Sequence, residues 1–167
     1  IDLWPLDELR GITLDKPSAF ARGASADKKG LSPRLRIGAL TTYTEIIASP
    51  LVRKRVPMLA AAAREIGGAQ IQNRGTLGGN IANASPIGDS IPCLIALDAT
   101  ITLRSKRGER QVKTDDFILG YRKTALESDE FIEAISIPQL KSGTNFTVYK
   151  LSKRFDQDIS TVIGAFR

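Results

Sequence analysis

The residues best able to do chemistry in this 167-residue chain lie in one segment, between Gln70 and Ser90. At its centre Gly78-Gly79 stands between Thr76 and Asn80, and Asn83, Ser85 and Asp89 follow a few residues on. Glycine lets the backbone reach positive φ and lets a ligand approach the chain with no Cβ in the way. Successive exposed amides in such a turn make a concave nest for phosphate oxygens. Thr76 adds a hydroxyl donor, and Asn80 an amide that both donates and accepts. One winding segment of this kind can hold a phosphate and a sugar hydroxyl. The competing reading is a tight turn packed against a helix, since a glycine pair alone is a weak signal. The spacing is neither G-x-G-x-x-G nor a P-loop, so it does not support a Rossmann fold.

Absences narrow the chemistry. Without histidine, Ser-His-Asp hydrolysis and histidine-ligated metal sites are excluded within the chain. Cys93 is the single cysteine, which rules out an internal disulfide, a cysteine-only zinc site and an iron–sulfur cluster. It lies in an apolar stretch and reads as a buried small hydrophobe. Lys and Arg number 24 against 18 Asp and Glu, and the resulting +6 suits an acidic partner or a phosphorylated ligand. Aromatic residues are scattered and form no basic-aromatic stripe, so nucleic acid is disfavoured. Asp115-Asp116 suggests paired carboxylates, but strand neighbours point to opposite faces, which makes these surface charges. No catalytic or metal-binding residue is assigned.

The elements that must position the segment follow from pattern. At 42% hydrophobic and 25% charged residues, the chain can build a core. Its apolar runs are too short to span a bilayer. It opens Ile1-Asp2-Leu3-Trp4-Pro5, without an initiator Met, basic n-region or cleavage motif. The expectation is a cytoplasmic protein and an inner part of a longer polypeptide. A helical turn is expected over 5–11, with Trp4 as a packing anchor, then a polar surface loop over 15–30. A strand covers 35–37. Helices cover 43–48 (capped by Thr41 or Thr42), 50–55 and 58–66, each with a cap or an N-terminal proline. A further helix covers 92–97. Strands are expected at 100–105 and 111–113 in a hairpin, at 131–137 with Phe131, Ile135 and Ile137 on the apolar side, and at 146–151 and 159–166. Helices early and strands late make an α+β protein.

A longer string sharpens the reading. Gln70-Ile71-Gln72-Asn73-Arg74-Gly75-Thr76-Leu77-Gly78-Gly79-Asn80-Ile81, followed by Ala84-Ser85-Pro86-Ile87 and Asp89, resembles the second flavin-binding motif of one family. That family comprises the FAD-binding subunits or domains of the molybdenum hydroxylases, including xanthine dehydrogenase and carbon monoxide dehydrogenase. Ile37-Gly38-Ala39, Gly120-Tyr121-Arg122-Lys123-Thr124, Ile135-Ser136-Ile137-Pro138 and Tyr149-Lys150-Leu151-Ser152-Lys153-Arg154 extend the resemblance, in the family's order.

The resemblance implies the larger subdomain of a vanillyl-alcohol-oxidase-type FAD-binding fold over residues 1–141. Residues 145–167 would open a C-terminal α+β domain like that of the carbon monoxide dehydrogenase flavoprotein. A first glycine turn, which the family places upstream, would lie outside the chain. FAD is the implied cofactor, with contacts from Thr76, Leu77, Gly78, Gly79, Asn80, Ala84, Ser85, Asp89, Ile132 and Lys150. The 121–124 segment would lie near the flavin edge or be a solvated loop. Gly88 replaces a serine common in relatives, and Ile66 an aromatic. The implied function is electron transfer from iron–sulfur clusters through FAD to NAD or another acceptor. The implied partners are an iron–sulfur subunit or domain and a molybdenum-cofactor subunit. The alternative is a truncated flavin domain that serves only as an assembly module.

Overall fold

The structure is a computed structural model that describes residues 3–15, 33–154 and 159–167. Most of the expected polar loop at 15–30 lies outside the described residues. A sheet organises the chain. Its strands are β1 (Ile12–Asp15), β2 (Arg34–Gly38), β3 (Thr100–Ser105), β4 (Gly108–Lys113) and, later in sequence, β7 (Phe131–Ile137). They stand in the order β1-β2-β7-β3-β4, each antiparallel to its neighbours. One face carries Leu35, Ile37, Ile101, Leu103, Ile135 and Ile137 into the core. Across β2, β7 and β3 the other side carries ion pairs. Arg36 reaches Asp15 and Glu133, and Arg104 reaches Glu133 at 2.6 Å and Glu109 at 2.9 Å.

β7 departs from simple alternation. Its register against β3 shifts between Thr102 and Leu103, so Ile135 pairs with Ile101 while Ile132 pairs with Leu103. Such an irregularity re-aims side chains. It buries Ile132 and leaves the expected apolar residue Phe131 half-exposed beside Arg104.

Helices cover the apolar face: α1 (Tyr43–Ala48), α2 (Pro50–Arg55), α3 (Pro57–Arg64) and α6 (Ser90–Ala96). Their starts follow local chemistry. Thr42, rather than Thr41, begins α1 with a capping box: its Oγ1 accepts from the Glu45 amide and its own amide donates to Glu45 Oε2. Ser49 caps α2, and prolines open α2 and α3. Tyr43, Ile46, Val52, Leu59, Ala63 and Leu94 then pack against the sheet in one core.

Two expectations are corrected. The glycine-rich segment is not a winding turn but two short helices, α4 (Ala69–Arg74) and α5 (Leu77–Asn83), joined at Gly75-Thr76. Asp115 and Asp116 lie not on a strand but in a one-turn helix, α7 (Thr114–Phe117), and both are exposed. A small hairpin follows, β5 (Ile118–Gly120) and β6 (Lys123–Thr124), and a second pair, β8 (Thr147–Leu151) and β9 (Val162–Phe166), packs on α3 and α6. The chain is α+β.

Candidate functional site

The glycine pair sits in the first turn of α5, where its two members do different work. Thr76 is the N-cap, and its Oγ1 accepts from the Gly79 amide at 3.1 Å. The Leu77 amide donates to Thr41 O at 3.1 Å and the Gly78 amide to Ala39 O at 2.9 Å. Residues 39–41 therefore form a strap that seats the start of the helix. The strap is itself anchored on β7, since the Ala39 amide donates to Glu133 O at 2.9 Å, one residue from buried Ile132. The expected nest of successive free amides is absent: those of Leu77, Gly78, Gly79 and Asn80 all have intramolecular acceptors. Neither glycine has positive φ; among the described residues nearby, that conformation falls on Ala84 at +44°.

What the glycines supply is room. A Cβ on Gly78 would meet Ala39 Cβ and Ala39 O, both at 2.7 Å, so this glycine lets the helix close on the strap. A Cβ on Gly79 would meet only Thr76 Oγ1, at 2.9 Å, and otherwise faces open space. Gly78 is buried and Gly79 exposed. Packing against the strap therefore accounts for Gly78, whereas at Gly79 the one close neighbour is the capping hydroxyl of Thr76.

Asn80 is aimed by neighbours that the sequence did not single out. Its Oδ1 accepts from Ser90 Oγ at 2.6 Å, and the buried Tyr43 hydroxyl lies 3.4 Å from Ser90 Oγ. With the oxygen committed, the amide nitrogen remains as a donor. Burial, then the Asp89 charge among lesser causes, raises the Tyr43 phenol far above its ordinary range, so it stays protonated.

Asp89 and Lys150, far apart in sequence, meet. Lys150 Nζ donates to Asp89 Oδ2 at 2.7 Å and to Glu65 O at 2.5 Å, while Ser160 Oγ donates to Asp89 Oδ1 at 2.5 Å. Both charged side chains are nearly inaccessible, at 7% and 4%. This pair ties β8 to the 85–90 loop and the end of α3. It presents a buried, neutralised node rather than an open cation. Cys93, one turn into α6, is buried, and burial followed by the Asp89 charge pushes its thiol up to about 12. It sits in the core as a small, protonated hydrophobe.

Ala84 and Ser85 line a cleft of about 300 Å³ with Pro86, Ile91, Ile118 and Tyr121. The hairpin of β5 and β6 is docked there, because the Arg122 amide donates to Ala84 O at 3.1 Å. Tyr121 at its tip is 72% exposed. The structure thus gathers residues 76–80 at the start of α5, 84–85 and Asp89 in the segment that follows it, and Lys150 behind that segment. Ile132 belongs to the underlying core, and Leu77 is wholly buried. Ser90 and Ser160 carry no motif and are visible only through their contacts. Among the described residues no group of three His, Cys, Asp or Glu side chains could hold a metal.

Comparison with known proteins identifies the family. Residues 26–140 match the family model described as the FAD binding domain in molybdopterin dehydrogenase. The chain is 37% identical over 163 residues to a putative xanthine dehydrogenase FAD-binding subunit of Escherichia coli, covering 97% of the chain and 51% of that protein. It is 41% identical over 133 residues to the nicotinate dehydrogenase FAD-subunit of Eubacterium barkeri, covering 78% and 45%. Among solved structures, a carbon monoxide dehydrogenase from Hydrogenophaga pseudoflava superposes with a TM-score of 0.77 at 34% identity, covering 92% of this chain and 48% of that one. Quinoline 2-oxidoreductase from Pseudomonas putida superposes at 0.81 with 29% identity, covering 98% and 51%. The chain spans about half the length of these relatives. With a helix-capping Thr-Leu-Gly-Gly-Asn turn on a strap beside β7 and a family match over most of its length, this chain belongs to the FAD-binding domains of the molybdopterin dehydrogenases.

Proposed function

We propose that this chain holds part of an FAD at Thr76, Gly79 and Asn80, with Ala84 and Ser85 beside them and the buried Leu77, Gly78, Asp89, Ile132 and Lys150 supporting the site from within, as an electron-transfer component of a molybdenum hydroxylase. The observation that carries this reading is the asymmetry of the glycine pair. The exposed face of Gly79 is open apart from the capping hydroxyl of Thr76, and Asn80, its side-chain oxygen held by Ser90, is the next residue along. A phosphate oxygen fits such a place, where a hydroxyl and an amide can both donate. Leu77 and Gly78 fix the backbone beneath it. Asp89 and Lys150 brace the loop from behind, and Ile132 supports the strap. FAD, when bound, supplies the redox chemistry, and the chain supplies position and electrostatics.

In this reading residues 1–141 belong to the larger subdomain of a vanillyl-alcohol-oxidase-type fold, and residues 145–167 open a C-terminal domain. Electrons arrive from an iron–sulfur partner served by a molybdenum-cofactor subunit and leave to NAD or another acceptor, in the cytoplasm. No helix among the described residues is long and apolar enough to cross a membrane. The test is titration of the protein with FAD, followed by flavin fluorescence, with ADP as a competitor for the pyrophosphate contacts. Saturable FAD binding that ADP weakens supports the reading. A protein that never takes up FAD, yet still joins its partner subunits, would be the assembly module instead.

A further inference from the structure

α4 buries none of its residues, yet its last residue, Arg74, leads directly into Gly75-Thr76 and the glycine helix. Hydrogen bonds hold its middle: Gln72 Nε2 donates to Arg64 O and Gly67 O, and Asn73 Oδ1 accepts from Thr44. Its end is held differently. The Arg74 guanidinium lies 4.7 Å from the centre of the Trp4 ring, and the Arg10 guanidinium lies 4.2 Å from the same centre. One indole thus binds two cations that would otherwise repel each other, through the negative potential of its π-system.

The stack is anchored at its far side. Arg10 donates to Trp4 O at 3.1 Å and to Leu40 O at 3.2 Å, and the Leu40 amide donates to Leu9 O at 2.9 Å. Leu40 is the middle of the 39–41 strap whose carbonyls receive the Leu77 and Gly78 amides. The segment around Trp4 therefore grips the cofactor turn from two directions: through Arg74 at its entry and through Arg10 at its strap.

We propose that Trp4 is a positioning residue for flavin binding, acting through Arg74 to fix the entry into residues 76–80; this rests on the FAD reading above. The ring need not touch the cofactor. Its loss frees the Arg74 side chain and lets the end of α4 fray, so that binding must first reorder the turn. The one cation–π contact that holds Arg74, at a partly exposed site, corresponds to a weakening of FAD binding of about two- to fivefold.

The experiment measures the FAD dissociation constant and the thermal midpoint for the full-length protein, Trp4→Leu, Trp4→Phe, Arg74→Met and the Trp4→Leu/Arg74→Met pair. Arg74→Met should weaken FAD about two- to fivefold, Trp4→Leu at least as much, the pair no more than Trp4→Leu alone, and Trp4→Phe should recover most of the loss because it keeps a π-face. If Trp4→Leu does not fold, Arg74→Met and Trp4→Phe still decide: wild-type affinity in Arg74→Met overturns the proposal. Equal, additive losses in the two backgrounds also overturn it, as does a fall in thermal midpoint with no change in FAD affinity. Wild-type protein that binds no FAD refutes the flavin reading itself. Wild-type binding with indifferent variants refutes only the role of Trp4.

Discussion

Gly78 and Gly79 are adjacent, yet the structure predicts opposite consequences for the same substitution. Gly78→Ala places a methyl 2.7 Å from Ala39 Cβ and Ala39 O, and 2.9 Å from Ala39 Cα. Two of these atoms are backbone, held by the strap's own hydrogen bonds, so the helix start must move. Overpacking of this kind costs roughly 1–3 kcal/mol, against a gain of about 1 kcal/mol from alanine's helix propensity. The net is a destabilisation of about 1 kcal/mol, or ~2–4 °C in thermal midpoint for a chain of this size. Gly79→Ala meets only Thr76 Oγ1 at 2.9 Å. Displacing that hydroxyl costs part of an N-cap, typically about 1 kcal/mol, which the same propensity gain offsets. Stability should barely change. Flavin affinity should reverse the ranking, because the Gly79 methyl occupies the open approach. Loss of even two charge-assisted hydrogen bonds, at ~1.5–3 kcal/mol each, weakens binding by roughly two to four powers of ten. Thermal melts of the ligand-free proteins and FAD titrations of both variants provide the assay. Wild-type FAD affinity in Gly79→Ala would refute the reasoning, as would a loss of stability in Gly79→Ala larger than that in Gly78→Ala.

Two further predictions concern charge. Lys150→Met leaves the buried Asp89 carboxylate with Ser160 as its one remaining donor among these contacts, and removing one partner of a buried pair costs ~3–5 kcal/mol; chemical denaturation should register it, and a change under 1 kcal/mol would contradict the arrangement. Glu130, hydrogen-bonded first by Arg110 and also by the Glu127 amide, has its carboxyl held down to about 2. Because its folded pKa is depressed, its stabilisation is present above the ordinary carboxylate range near ~4.3 and is lost as pH falls towards 2. The stability gap between wild type and Arg110→Met should therefore be widest near neutral pH and shrink through that window, as measured by urea unfolding at a series of pH values; a gap independent of pH would argue against the pair.

Local chemistry wrote much of this protein directly into its sequence. The Thr42–Glu45 capping box, Ser49-Pro50 and Pro57 place their helix starts because a cap and its acceptor lie within one turn of each other. The hairpin of β3 and β4 and the strand at β7 are legible for a similar reason, since apolar periodicity and turn residues act over short spans. The flavin motif is legible as a string. Its conformation is not: Gly78 and Gly79 have poor helix propensity, and the helix forms because Thr76 caps it and the strap accepts its amides from residues 39–41. The same limit applies to Asp115-Asp116, whose one-turn helix defeated a strand pattern, and to Ile132, which a register shift against β3 carried into the core. Asp89 could be picked out by type, but its pairing with Lys150 and Ser160 spans 61 and 71 residues. Sequence alone determined which groups could meet a phosphate or bear a charge. Tertiary structure decided which amides were already satisfied, which glycine stayed open and which charges cancelled, because each depends on atoms brought together across the whole fold.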